Sequence, residues 1–432
     1  MVVGEFAEDA DVVVIGGGPA GYSCAFAAAE RGRSVTIVDP RPTIGGLCLH
    51  EACIPTKALL KAIAAASSSG TPAVPHTQTL PEPASLDTWI KRCQKKLGAG
   101  LEAASRSHHV TIIRGTARFL DAREVQVAGE QVLRLRFKRA VICTGSVRRP
   151  HPALTGVPGV VSPGTFASHP TDISGPVTVL GNTSIAVEAA TIAAGLGADT
   201  TLVLCGDRLL PDLPLELTEP LMQRAAFTVQ AGDITSAPDT PTIVDAVDRM
   251  GAIAELGLGS TSVEVLNDWI VVNDRMQTSE PRILAAGDCV GGPLWAGAAM
   301  IRGRIAAETI ADGHAGWDPS VIPCVIYTDP EICWAGTHLG EHVGSLLVPW
   351  SFSGLATVLN RSEGRTMICW DRSSGTLIGA GATGAGACEL ADGFGAALEM
   401  GTTLQDLADM VPAHPTRSEL LGEAARQALT QS

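Results

Sequence analysis

Two cysteines with four residues between them, Cys48 and Cys53, are the side chains best placed to do chemistry in this sequence. They lie in Gly45-Gly46-Leu47-Cys48-Leu49-His50-Glu51-Ala52-Cys53-Ile54-Pro55-Thr56-Lys57. Thiols at that spacing can bridge across the first turn of a helix, and a helix N-terminus favours a thiolate. The pattern suits thiol–disulfide exchange. Two other readings stay open: a pair of inert thiols, and a disulfide that only braces the fold. Glu51 adds a carboxylate that opposes a neighbouring thiolate.

The elements in front of the cysteines must hold whatever reacts with them. Asp11–Ile15 is a short apolar run suited to a buried parallel strand. It enters Gly16-Gly17-Gly18-Pro19-Ala20-Gly21 and a small-residue helix, Tyr22–Arg31, followed by a second run, Ser34–Val38, that ends in Asp39. This is the arrangement a dinucleotide requires. Gly16 makes the tight turn, Gly18 lets the backbone approach a pyrophosphate, and Gly21 lets helix and strand close together. The helix N-terminus offers free amides to the phosphates, and Asp39 is placed for a ribose.

Together these segments resemble the class I pyridine nucleotide–disulfide oxidoreductases, and dihydrolipoamide dehydrogenase is closest in wording. The resemblance covers nearly the whole chain and implies an α/β flavoprotein with two Rossmann-like dinucleotide domains and an α+β dimerisation domain. The domains it implies are residues 1–150 for FAD with the cysteine pair, 151–272 for a shortened NAD(P)-like domain, 273–320 as a return segment, and 321–432 for dimerisation. FAD is the cofactor implied. Gly46, Cys48 and Lys57 would lie against it with the first glycine loop. Thr144-Gly145 would join them from a strand that carries Cys143 where the family has alanine. Gly287-Asp288 would reach the ribityl chain, and the helix beginning near Ala296 would approach the ring. Cys48 would be the interchange thiol and Cys53 the charge-transfer thiol, with Lys57 paired to Glu188. His414 and Glu419 match the family's thiol acid–base dyad, although Pro412 replaces the first histidine of that motif. His50 and Glu51 stand where relatives carry neutral residues.

The second nucleotide unit departs from the pattern. Its loop reads Gly181-Asn182-Thr183-Ser184-Ile185-Ala186, so a β-branched residue occupies the position where a pyrophosphate needs glycine. The following strand, Thr200–Leu204, ends without an acid for a ribose. Prolines 211, 214, 220 and 238 leave little room for further elements. Ordinary NAD(P)H use is therefore not expected.

With 432 residues, 45% hydrophobic and 4% aromatic, the chain suits several domains of small-residue helices packed on parallel sheets. A net charge of −14 without a long basic run argues against nucleic acid or an anionic membrane as partner. No 18-residue apolar span, signal peptide or metal-ligand spacing is read, and a cytoplasmic protein is expected; the family resemblance implies a homodimer. The expected function is an FAD-dependent dehydrogenase or oxidase acting on a thiol-bearing small molecule or carrier-tethered biosynthetic substrate, independent of NAD(P)H. The alternatives are an NAD-dependent dihydrolipoamide dehydrogenase or related disulfide reductase, and a non-catalytic scaffold stabilised by FAD.

Overall fold

The computed structural model describes residues 7–67, 70–71, 74–75, 82–170, 173, 175–232 and 234–431. The chain divides into two compact units, each built from discontinuous segments. The first comprises Met1–Pro55, Asp87–Pro150 and Asp248–Asp318. The second comprises Thr56–Leu86, His151–Val247 and Pro319–Ser432.

The first unit is organised by a seven-stranded sheet. Its parallel part runs Thr111–Arg114, Val35–Asp39, Glu8–Ile15, Val132–Ile142, with Ile283–Ala285 on the last of these. Val12, Val13 and Val14 are fully buried, as expected of a parallel strand covered on both faces. The N-terminal half of Val132–Ile142 pairs antiparallel with Glu124–Ala128, which in turn pairs with Thr116–Phe119. Helix Pro19–Glu30 packs on helix Ala296–Ile310, so the first glycine loop and the Gly287-Asp288 loop open at neighbouring helix starts.

The second unit holds two five-stranded sheets. One is wholly parallel, in the order Val160–Val161, Thr242–Asp245, Val177–Leu180, Thr200–Leu204, Thr228–Ala231. The other is antiparallel, in the order Cys324–Ile326, Ile332–Gly336, Leu377–Thr383, Arg365–Asp371, Val343–Pro349. Its core includes Trp350 and Trp370, covered by helices Ala391–Glu399 and Glu419–Thr430.

Two sequence expectations need correction. The proline-rich stretch after Arg208 does fold, into helix Leu215–Arg224 and strand Thr228–Ala231. Pro220 lies inside that helix, and the Glu216 carbonyl it cannot serve accepts a hydrogen bond from Arg365 Nη1 at 3.2 Å. The four prolines of Ser67–Ser85 suggest a loop from sequence; that stretch lies largely outside the described residues, and its last residues belong to helix Pro83–Ser107.

Candidate flavin and thiol site

In the first unit, three glycines of one loop are kept for different reasons. A Cβ on Gly16 would lie 2.4 Å from the Cys143 carbonyl oxygen, and one on Gly21 would lie 1.8 Å from the Gly16 carbonyl oxygen. Both are fixed by the fold itself. A Cβ on Gly18 would meet nothing nearer than Gly46 Cα at 3.7 Å, so internal packing does not demand glycine there. Room for a ligand does.

Asp39 is almost fully buried at the end of its strand. Its Oδ2 accepts the Gly17 amide at 2.6 Å and its Oδ1 the Arg41 amide at 2.8 Å. The acid therefore shapes the loop as well as standing where a ribose is expected. Thr144 follows the strand Val132–Ile142, and its hydroxyl is buried without a hydrogen-bond partner among the described residues. Such an orphan fits a ligand better than a closed core. Asp288 Oδ2 accepts the Ser146 hydroxyl at 2.9 Å, and Ser146 Oγ in turn accepts Arg249 Nε and Nη2 at 2.9 and 2.8 Å. Ser146 and Arg249 were missed from sequence because 103 residues separate them and no local pattern joins them. Burial holds the Arg249 guanidinium below its ordinary range, opposed by the Asp288 and Glu51 carboxylates.

The cysteine pair is built differently from the sequence expectation. Cys48 lies in a short helix, Gly46–His50, and Cys53 opens a separate one, Cys53–Ser67. Glu51 breaks the first helix with φ −135°. Only Cys53 sits at the N-terminus of a long helix, so dipole stabilisation applies to that thiol rather than to both. Both thiols are half-buried. The phenol of Tyr22, on helix Pro19–Glu30, is pushed up to about 12 by burial and then by the charges of Cys48 and Cys53. Its hydroxyl contacts Met300 Sδ at 3.6 Å. Cys24, Cys143 and Cys289 are buried thiols, and burial drives each well above its ordinary range, away from reactivity.

One turn beyond Cys53 on the same helix, Lys57 donates to both oxygens of Glu188, at 2.8 and 3.1 Å. Glu188 is buried on helix Ser184–Gly195, and its Oε1 also accepts the Tyr327 amide at 3.0 Å. Lys61 pairs with Glu331, and both lysine ammonium groups lie over the Tyr327 ring, at 5.3 Å for Lys57 and 5.2 Å for Lys61. Glu188→Ala is expected to lower stability by about 2 kcal/mol, the buried-pair penalty discounted because Lys57 is one-third exposed. Glu188→Gln, which keeps the shape and an acceptor for Tyr327, should cost less than half of that; denaturant midpoints measure both.

His414 Nδ1 lies 3.2 Å from the Glu419 carboxylate, at the start of the last helix. Glu419 Oε1 accepts the Thr416 amide at 2.6 Å, and that amide, with His414, holds its carboxyl below the ordinary range. The imidazole is 77% exposed. The glutamate fixes which ring nitrogen faces inward, leaving Nε2 outward.

The second nucleotide unit has the same strand–loop–helix shape as the first. Thr183 caps its helix with φ −91° and ψ 172°, close to Gly18 with φ −73° and ψ −173°. The backbone at Thr183 is unstrained, and the change at that position is the side chain. Leu204, at the strand end where a ribose acid is expected, is buried. Asn182 Nδ2 donates to the Cys205 carbonyl at 3.0 Å, and the Asn182 carbonyl accepts the Leu210 amide at 2.8 Å. Asp248 pairs with Arg149 at 2.7 Å.

A Rossmann-type loop shaped for a dinucleotide, beside a cysteine pair, defines an FAD-dependent oxidoreductase. The residues fit FAD, with Gly18 and the orphaned Thr144 hydroxyl as the evidence. Residues 10–227 match the sequence pattern of the pyridine nucleotide-disulphide oxidoreductases, and residues 322–425 match that family's dimerisation domain. The dihydrolipoyl dehydrogenase of Geobacillus stearothermophilus is 30% identical over 463 residues, covering 99% of this chain and 98% of that enzyme. The chain belongs to the class I pyridine nucleotide–disulfide oxidoreductase family, close to the lipoamide dehydrogenases. The fold is shared with the HOCl-induced flavoprotein disulfide reductase RclA from Escherichia coli, with a TM-score of 0.86 at 20% identity over 97% of this chain and 99% of that one. It is equally shared with LpdA from Mycobacterium tuberculosis, with a TM-score of 0.86 at 21% identity over 97% and 99% of the two chains. Among the described residues, no helix is long and apolar enough to cross a membrane.

Proposed function

We propose that this flavoenzyme exchanges electrons with a dithiol or disulfide substrate through Cys48 and Cys53, as a dihydrolipoamide dehydrogenase or related disulfide reductase. This is the reading that sequence analysis held as an alternative, and the dihydrolipoyl dehydrogenase relatives favour it over a carrier-tethered biosynthetic substrate. The observation that carries it is the His414–Glu419 pair, because a flavin scaffold has no use for an imidazole poised for thiol protons. Bound FAD would supply a two-electron acceptor for the reduced cysteine pair. Cys48 would meet the substrate sulfur, Cys53 would be the inner thiol, and His414 Nε2 would take and return the thiol proton. Lys57, held by Glu188, would supply positive charge one turn from Cys53. We assign residues 1–150 and 273–320 to the flavin, 151–272 to the second nucleotide-like unit, and 321–432 to a homodimer interface. The exposed His414 and the match to a dimerisation domain support the last assignment.

A second reading rests on Thr183 and the buried Leu204. Here electrons from a thiol-bearing or carrier-tethered substrate leave FAD for dioxygen, giving hydrogen peroxide, because NAD(P)H binds poorly. Anaerobic titration of the holoenzyme separates the two. Reduced lipoamide should bleach the flavin in both cases. Reoxidation by NAD+ supports the first reading; reoxidation by air alone supports the second. A flavin that no dithiol bleaches would overturn both.

A further inference from the structure

Arg41 ties the segment joining the two cysteines to the nucleotide loop, beside the backbone bond from the Gly45 amide to the Gly17 carbonyl at 2.7 Å. Its backbone amide is held by Asp39, whose other oxygen holds the Gly17 amide. Its guanidinium reaches the other way, with Nη2 donating to Glu51 Oε1 at 3.0 Å. The same segment is fastened twice more. His50 Nε2 lies 2.9 Å from the Thr43 carbonyl, and Gln94 Nε2 donates to the His50 carbonyl at 2.8 Å. A chain of contacts therefore runs from the Gly17 amide through Asp39, Arg41 and Glu51 to the turn between Cys48 and Cys53.

Glu51 caps the helix that carries Cys48 and precedes Cys53 by two residues, so its Cα is within about 7 Å of the Cys53 Cα. A carboxylate at that range opposes a thiolate, and an arginine paired to it cancels part of the opposition. We propose that the Arg41–Glu51 pair is a positioning device that fastens the cysteine turn to the nucleotide loop and sets the net charge its thiols feel. The other charged or titratable groups around the turn are His50 beside it, Tyr22 on helix Pro19–Glu30, Arg249 and Asp288 beyond Glu51, and Lys57 on the helix of Cys53. None of them replaces Glu51 as the acid inside the turn. Arg41 and Glu51 are each about one-third exposed, so the pair contributes little to stability. Its effect lies in the local field.

The inference rests on Cys48 and Cys53 being the redox pair, yet its test reads ionisation rather than turnover, so the two can fail separately. The reduced holoenzyme is alkylated with iodoacetamide across a pH series, and labelling at Cys48 and Cys53 is read by peptide mass spectrometry. Glu51→Gln should move the alkylation midpoint down by about 0.5 pH unit, a roughly threefold faster reaction below the midpoint. Arg41→Gln should move it up, and the double variant, which removes both charges, should fall between the two single variants. FAD content and circular dichroism should match the parent in the Glu51 variant. An unmoved midpoint in both single variants, or shifts of the same sign, would overturn the proposal.

Discussion

Cys48→Ser is expected to abolish dithiol turnover, by at least about a thousandfold, while the protein stays yellow with bound FAD. The chemistry requires it. In the proposed oxidising direction, a substrate thiolate would attack Cys48 Sγ of the oxidised pair, breaking the Cys48–Cys53 bond and releasing Cys53 as a thiolate. The second substrate thiol, deprotonated at His414, would then attack the substrate sulfur of the mixed disulfide. Cys48 would leave and take a proton. The substrate would become a disulfide, with two electrons and one proton more on the cysteine pair. Serine at position 48 cannot form the mixed disulfide, so the sequence stops before its first step. Cys53→Ser should stop it at the same point, because no enzyme disulfide can form. The two differ in trapping: Cys53→Ser leaves Cys48 able to form a stable mixed disulfide with an activated substrate, detectable by mass, and Cys48→Ser does not. Full dithiol turnover by either variant would defeat the proposed function. Retention of FAD by both separates the loss from misfolding.

How far this site was legible in the sequence depends on whether each part is local. The glycine loop, Asp39 and the two cysteines lie within one stretch of chain, and their types and spacing carry the reading unaided. The pairs Lys57–Glu188 and His414–Glu419 are contacts in the structure, at 2.8 and 3.2 Å; both came from family resemblance, and the first spans 131 residues. The break between the cysteines had one local signal that was not read, Pro55: in a continuous helix its ring would meet the Glu51 carbonyl, whereas it suits the first turn of a helix that starts at Cys53. Distance is the limit for Ser146, Arg249 and Asp288, whose network closes over 103 and 142 residues. Pro220 misled in the opposite direction. A proline reads as a break unless something distant accepts the role of its missing amide, and here that partner is Arg365.

Thr183 shows why a motif and its conformation must be weighed separately. Its torsions lie close to those of Gly18, so the second loop has kept the shape of a dinucleotide loop. Loss of glycine there removes space and leaves the backbone intact. The strand end has also lost its acid, with Leu204 turned into the core. These two changes lie in the second nucleotide-like unit, while the flavin loop and the Lys57–Glu188 and His414–Glu419 pairs remain assembled.

That distinction between room and conformation yields the second large effect, a contrast between two glycines of the flavin loop. Gly21→Ala is expected to destabilise the first unit by ~3 kcal/mol, since a Cβ at 1.8 Å from the Gly16 carbonyl oxygen must push helix and strand apart. The usual helical gain of ~1 kcal/mol for alanine over glycine cannot offset a clash with backbone. Gly18→Ala should leave the flavin-free protein within ~0.5 kcal/mol of the parent, because its nearest neighbour is 3.7 Å away and its φ of −73° suits any residue. Yet it should weaken FAD binding by roughly tenfold or more, because the new methyl enters the space reserved for the pyrophosphate. Thermal denaturation of the flavin-free protein and fluorescence titration with FAD measure the two quantities independently. Equal FAD affinity in the parent and Gly18→Ala would mean that the cofactor does not pass over this loop. A stability loss confined to Gly21→Ala and an affinity loss in Gly18→Ala would locate fold and ligand on adjacent turns of one motif.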